Sequence, residues 1–343
     1  VLSSPSGAAG AQWLTSPQPQ TTIRASVIRL DNVTKEYDAP SGSQANIVAA
    51  DRLNLEVPAG EIFGLIGPNG AGKTTTLKMI CGLTPPTEGR VTVNGVDVER
   101  RPEDAQQFIG YLADFFSLYD DLKVWEYLDY FARAYKVDSS AIPRRINEVL
   151  QQIGLGAKRD ALIHGLSRGM KQRLGIGRAI IHDPLLLVLD EPAAGLDAQG
   201  RLDFKDFLRV FHGQGKTIFI TSHILSDLEE VCSSVAIIEK GRLLRVGPLA
   251  EVMREGQAGR RMQIRLASPG LDIASLLAGS PGVTAIQTAS KALSADFSFV
   301  GTDSDLAALV ATLVSAGAPV CGVQELTEGL ERLYLRISGG EVS

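Results

Sequence analysis

The chain is 343 residues long, with 44% hydrophobic and 21% charged residues, a formal net charge of −5 and a pI near 5.5. That length suits two domains rather than one, and the acidic balance argues against a nucleic-acid partner, which needs a basic stripe. The cysteines Cys81, Cys232 and Cys321 lie too far apart in sequence for a disulfide framework or a zinc ligand set, and no run approaches the roughly 18 apolar residues of a membrane-spanning helix.

Residues 1–25 are rich in Ser, Pro, Gln and Ala and lack the basic-then-apolar order of a secretory signal, so a disordered lead-in is expected. Residues 27–30 and 53–57 alternate apolar and polar side chains, as half-buried antiparallel strands do, around the turn-rich insertion DAPSGSQAN at 38–46. An apolar strand at 62–66 then enters a Gly-rich turn and a helix at 74–81. The stretch 102–181 reads mostly as helix. Val124, Tyr127, Leu128, Phe131 and Tyr135 form one stripe, and Ile142, Ile146, Val149, Leu150 and Ile153 a second. Continuous apolar strands at 185–189 and 217–221, separated by a helix, indicate a buried and largely parallel sheet. After Gly247 the pattern changes. Strand 262–266, helix 273–277, strands 283–287 and 297–300, helix 304–315 and strand 320–324 spell β-α-β-β-α-β, a small ferredoxin-like module that an amphipathic helix at 327–337 would close. The expected fold is α/β with a C-terminal α+β accessory domain, divided as 1–25, 26–247 and 248–343.

Residues 67–74 read GPNGAGKT and match G-x-x-x-x-G-K-[ST], between a predicted strand and a predicted helix as a P-loop requires. The glycines let backbone N–H groups turn inward around phosphates, and the helix N-terminus favours negative charge. Lys73 is expected to reach the β- and γ-phosphates, and the Thr74 hydroxyl to ligate Mg²⁺. Residues 185–191, LLLVLDE, put Asp190 and Glu191 at the carboxyl edge of a parallel sheet, where ligands bind. Asp190 is the expected Mg²⁺ partner, and Glu191 the expected acceptor of a proton from attacking water. In LSRGMKQR, 166–173, Ser167 is a good N-cap for a following helix, which offers a second phosphate cradle separate from the first.

The succession GPNGAGKT, LSRGMKQRL, LLLVLDEP, AGLD and ITSH resembles the nucleotide-binding domain of an ABC transporter over residues 26–247. The resemblance implies a P-loop ATPase with a mixed-sheet core, an antiparallel β subdomain and a helical subdomain. It implies Mg·ATP hydrolysis and head-to-tail closure on another such domain, as homodimer or heterodimer. Gly67, Pro68, Asn69, Gly70, Ala71, Gly72, Lys73, Thr74 and Thr75 would then hold the nucleotide's phosphates. Leu166, Ser167, Arg168, Gly169 and Met170 would meet the nucleotide of the opposite subunit, and Asp197 would tie the two sites together. His223 would hold the γ-phosphate and the water beside Glu191. Tyr37 matches the aromatic that stacks on adenine, although a lone Tyr in a strand also reads as packing.

Two departures from the family pattern matter. Arg168 and Met170 replace the second Gly and the Gln of the usual LSGGQ, and Asp114 stands where family members carry Gln, offering Mg²⁺ a charge instead of a neutral carbonyl. Phe115, Phe116, Leu118 and Tyr119 read either as ordinary burial or as an exposed patch awaiting a partner. By resemblance this region receives a coupling helix from a separately encoded integral-membrane permease, which places the chain at the cytoplasmic face of a membrane. The tail ELTEGLERLYLRIS, 325–338, resembles the end of the accessory domain of ABC-2-type exporters.

Two rivals come from other classes. GLSRG at 165–169 also fits G-x-S-x-G, with Ser167, Asp190 and His223 in hydrolase order, but the preceding AKRDALIH is a poor strand for such a turn. A soluble ABC-family ATPase of translation or DNA repair would usually carry a second such domain or long coiled coils, and no heptad run is present.

Overall fold

The computed structural model describes residues 26–38, 46–222, 228–254, 259–268, 272–288, 293–326 and Tyr334. The expected lead-in, most of the 38–46 insertion, His223 and, Tyr334 apart, the helix expected at 327–337 lie outside them.

Strands β1 (Ser26–Tyr37) and β2 (Ile47–Pro58) pair antiparallel over most of their length, longer than alternation alone indicates. Strand β3 (Ile62–Ile66) feeds helix α1 (Lys73–Ile80). β4 (Glu88–Val93) and β5 (Val96–Asp97) complete an antiparallel sheet of order β2-β1-β4-β5. There follow α2 (Pro102–Gln106), β6 (Ile109–Leu112), α3 (Val124–Ala134), α4 (Ile142–Gln152), α5 (Arg168–Ile180), β7 (Leu186–Leu189), α6 (Ala198–Gly213) and β8 (Thr217–Ser222). β9 (Ser234–Glu239) and β10 (Arg242–Pro248) finish a six-stranded sheet, order β10-β9-β3-β8-β7-β6, in which only the β10 edge runs antiparallel.

This sheet divides two hydrophobic cores, because its strands are buried on both faces. Ile218 and Ile220 of β8 and Leu187 and Leu189 of β7 face the helices α3, α4 and α5. Phe219, Leu186 and Val188 face α1 and the antiparallel sheet. Phe63 and Phe219 stack at 5.5 Å in that second core, and each such side chain contributes roughly 1.5–3 kcal/mol by leaving water. Cys81 is buried in this core and Cys232 in the first, and desolvation pushes both thiols up, so they act as small apolar residues. Cys321 is exposed.

The expectation of helix over most of 102–181 misses β6. Four residues containing a glycine carry no periodicity of their own; their pairing with β7, Ile109 opposite Leu186 through Leu112 opposite Leu189, makes them a strand. Gly110 lets α5 lie directly on this strand, since a Cβ there would overlap the Ala179 carbonyl.

Helix α7 (Leu249–Arg254) packs back onto the first core through Val252, Leu249 and Met253. Beyond it come β11 (Arg260–Leu266), α8 (Ile273–Ala278), β12 (Val283–Thr288), β13 (Ser294–Phe299), α9 (Asp303–Ser315) and β14 (Val320–Glu325). Their sheet is antiparallel with order β12-β13-β11-β14, the ferredoxin-like arrangement of β-α-β-β-α-β. Met262, Ile264, Phe297 and Phe299 meet Leu277, Leu309 and Leu313 on one face. Tyr334 packs against the first core rather than this one.

Candidate nucleotide site

Four neighbouring parallel strands end at one edge of the central sheet, and each delivers candidate chemistry. β6 leads to Asp114, β7 to Asp190 and Glu191, β8 to Thr221 and Ser222, and β3 to residues 67–74. Ligands gather at such carboxyl ends because strand carbonyls and helix N-termini leave the polar work there.

Gly72 caps α1 at φ 105, a left-handed conformation open to glycine, and a Cβ at this position would overlap the Ala49 carbonyl of β2. Ala71 N donates to the Pro68 carbonyl at 3.2 Å and Gly241 N to the Ala71 carbonyl at 3.0 Å, closing the turn. Lys73, only 6% exposed, bends back over it, with Nζ donating to the Gly67 carbonyl at 2.7 Å and the Pro68 carbonyl at 3.3 Å. Pro68, Asn69, Gly70 and Thr74 are exposed around this ammonium, and Thr75 is half-buried. The same Nζ lies 3.4 Å from Glu191 Oε1.

Asp190 is 2% exposed and accepts a hydrogen bond from the Thr221 hydroxyl at 2.8 Å. That hydroxyl oxygen in turn accepts from the Glu191 backbone N–H at 3.0 Å. Glu191 sits at φ 48, unusual for a non-glycine residue, and the Thr221 bond holds it there. Thr221 was not singled out from the sequence. A hydroxyl at the end of the strand neighbouring LLLVLDE is the signal that could have found it. Asp190, the exposed Thr74 hydroxyl and the exposed Asp114 are hard oxygen donors, the chemistry Mg²⁺ prefers beside phosphate oxygens and water.

Tyr37 is 39% exposed, with Lys35 Nζ 5.2 Å from its ring centre. Its register partner Ile47 precedes by two residues the Ala49 whose backbone lies against Gly72, so the strand end bearing Tyr37 lies near the P-loop in sequence register. His223 is outside the described residues.

The LSRGM segment stands apart. Ser167 caps α5, accepting from Met170 N at 3.3 Å, and Leu166 is buried beneath it. A 3₁₀ turn, Ile163–Gly165, precedes Ser167 in place of the strand that a hydrolase nucleophile turn requires, and this removes the G-x-S-x-G rival. Ser167, Arg168, Gly169 and Asp197 line a cleft of about 690 Å³ that no residue of 67–75 reaches. Asp197 caps α6, accepting from Gly200 N at 2.7 Å.

The apolar quartet after Asp114 is not one patch. Phe115 is 90% and Tyr119 56% exposed, whereas Phe116 and Leu118 pack against the first core. The Phe116 ring fills the space over Gly175 of α5 and takes the Arg178 guanidinium at 5.5 Å. A charged substitution at Phe116 would therefore test the seat of α5, not docking. Leu118, Tyr119, Asp120, Asp121, Leu122 and Tyr130 frame an open groove of about 580 Å³, and Asp120 pairs with Lys171 of α5 at 2.9 Å.

The ABC transporter family matches residues 50–194. The Nod factor export ATP-binding protein I of Cupriavidus metallidurans is 37% identical over 227 residues, 66% of this chain and 73% of its own length. The linearmycin resistance ATP-binding protein of Bacillus subtilis is 30% identical over 315 residues, 91% of this chain and 98% of its own. Matches of 220–233 residues span 65–73% of the lengths of the relatives concerned. A solved ATP-binding subunit of an ABC transporter shares 29% identity and a TM-score of 0.60 over 67% of this chain and 92% of that one. With the P-loop, the paired acids and the capped LSRGM helix set on this sheet, the chain belongs to the ATP-binding proteins of ABC transporters and is an ATPase.

Proposed function

We propose that this chain powers a separate membrane permease of exporter type, by closing on a second ATP-binding domain with each nucleotide held between one P-loop and the opposite LSRGM helix. One observation carries this reading: the capped N-terminus of α5 is exposed in a cleft apart from the P-loop, so its phosphate-binding potential has no use within one chain. The relatives named for Nod factor export and linearmycin resistance favour an exporter over a translation or repair ATPase. Among the described residues no helix is long and apolar enough to cross a membrane, so the spanning part is assigned to a partner chain and this chain to the cytoplasmic membrane face.

In this mechanism the triphosphate replaces Glu191 as the counter-ion of Lys73, which frees the carboxylate to take a proton from the attacking water. Lys73 and the opposing Ser167 and Gly169 stabilise charge on the γ-phosphate. His223 holds the γ-phosphate and water, Asp197 joins the two sites, and Tyr37 stacks on adenine. Thr74, Asp190 and Asp114 would hold Mg²⁺, which supplies charge neutralisation between the phosphates. The groove beside Phe115 and Tyr119 takes an apolar, basic segment of the permease, matched by Asp120 and Asp121. The C-terminal sheet supports the dimer or regulates it.

The test is a pull-down of tagged Glu191→Gln chain from detergent-solubilised native membranes with ATP. Co-purification of a polytopic membrane protein, together with an ATP-dependent dimer, is the expected result. Recovery with ribosomes or repair proteins would leave the ATPase and remove the transporter.

A further inference from the structure

We infer that Arg168 and Gln172 are positioning residues that stitch the LSRGM helix to the loop carrying Glu191, so that engagement of one nucleotide by α5 sets the base at the other. This rests on the head-to-tail reading above. The segment 192–196 joins Glu191 to Asp197, and the first turns of α5 hold it at two points. Gln172 Nε2 donates to the Pro192 carbonyl at 2.9 Å. The Arg168 guanidinium rests against Gly195, where any Cβ would overlap its Cζ and both terminal nitrogens.

Arg168 is the residue by which this chain departs from LSGGQ, and a glycine in its place could make no such contact. Among the described residues no carboxylate pairs with it, so its seat is made by shape against a backbone without a side chain. Gly195 has φ 73, which a larger residue would resist, and its bare Cα is what admits the planar group. The far end of the segment is Glu191 itself, at φ 48, where its backbone N–H donates to the Thr221 hydroxyl and its carboxylate faces Lys73. A shift of Pro192 therefore rotates the peptide next to the base. Helix α5 is the part of the chain that meets the opposite nucleotide, whereas Glu191 serves the chain's own; the two stitches connect them.

The experiment compares the parent with Arg168→Gly, Gln172→Ala, the double variant and Arg168→Lys. Steady-state ATP titrations are run on each, and ATP-induced dimerisation is followed by sedimentation with Glu191→Gln added. Parental hydrolysis should be cooperative in ATP. The double variant should lose about tenfold in kcat, with its Hill coefficient falling toward one. Its KM for ATP should stay within about twofold of parental, and its dimerisation at the parental ATP concentration. Arg168→Lys should not restore kcat, because a compact ammonium cannot replace a planar group over glycine. Parental kcat and cooperativity in the double variant would overturn the inference, as would a non-cooperative parent. A raised KM with lost dimerisation, both repaired by Arg168→Lys, would overturn it in favour of a direct phosphate contact. A Glu191→Gln chain that stays monomeric at saturating ATP would remove the head-to-tail reading, and this inference with it.

Discussion

The central sheet and the C-terminal sheet bury their strands differently. Every residue of β3, β7 and β8 is buried, while β13 alternates half-buried with buried positions. A sheet covered on both faces has nowhere to carry polar groups except its ends, so Lys73, Asp190, Glu191 and Thr221 collect at one edge. A sheet covered on one face spreads polar groups across the other. There Gln263 bonds Asp296 at 2.8 Å and accepts from Gln324 at 3.1 Å, and the groups satisfy one another. Concentration favours catalysis, and mutual satisfaction favours a quiet surface. The B. subtilis relative, matched over 91% of this chain, necessarily runs through both regions.

The largest expected effect tests the chemical edge. Lys73→Ala should lower ATP turnover about a thousandfold, or about 4 kcal/mol of barrier, with little change in melting temperature. A phosphate-release assay beside a thermal melt reads both, and unfolding in place of lost turnover would break the division of labour. Next, Phe297→Ala should cost the C-terminal core about 3 kcal/mol. Amide exchange should speed in β11 to β14 while ATP hydrolysis persists. Equal loss of both would mean that the two sheets do not fold as separate units.

Gly110→Ala should cost about 2 kcal/mol by forcing α5 away from β6. Faster exchange confined to α5 and β6 sharpens the comparison, and a change in the C-terminal strands would blur it. The smallest effect is one of pH. Burial against the Tyr135 ring lowers His182 to about 4, although its Nε2–H donates to the Ile109 carbonyl at 3.1 Å. The folded value lies below the ordinary 6.5, so the unfolded chain takes up the proton first. Stability is then fully present above pH 6.5 and falls as pH drops toward 4, by roughly 1 kcal/mol at pH 5.5. Urea midpoints at several pH values should show this slope, and His182→Phe should flatten it.

The site was more legible than its surroundings for a physical reason. P-loop glycines, a capping serine and paired acids after an apolar strand are local devices, written in adjacent letters. Strand β3 was readable to its last residue because five consecutive apolar positions leave no alternative beside a P-loop. β6 was not, since only its distant partner β7 defines it. Adjacent Phe115 and Phe116 look alike in sequence, and the space over Gly175 decides that one is half-buried and the other exposed. The strands of the C-terminal module were placed in order but drawn short, since pairing outruns alternation, and β13 was also carried one residue too far, to Val300.

Helix α5 lies against β6 at Gly110, takes Phe116 over Gly175 and reaches Asp120 through Lys171 and Pro192 through Gln172. Its 13 residues form a bar of about 20 Å. Where glycine removes the intervening side chain there is no compliant layer to compress, so a push applied at the groove framed by Leu118, Tyr119 and Asp120 would reach the far side as displacement rather than being absorbed as slack. The helix is a strut, and the stiffness of its glycine seats fixes how faithfully force passes in either direction.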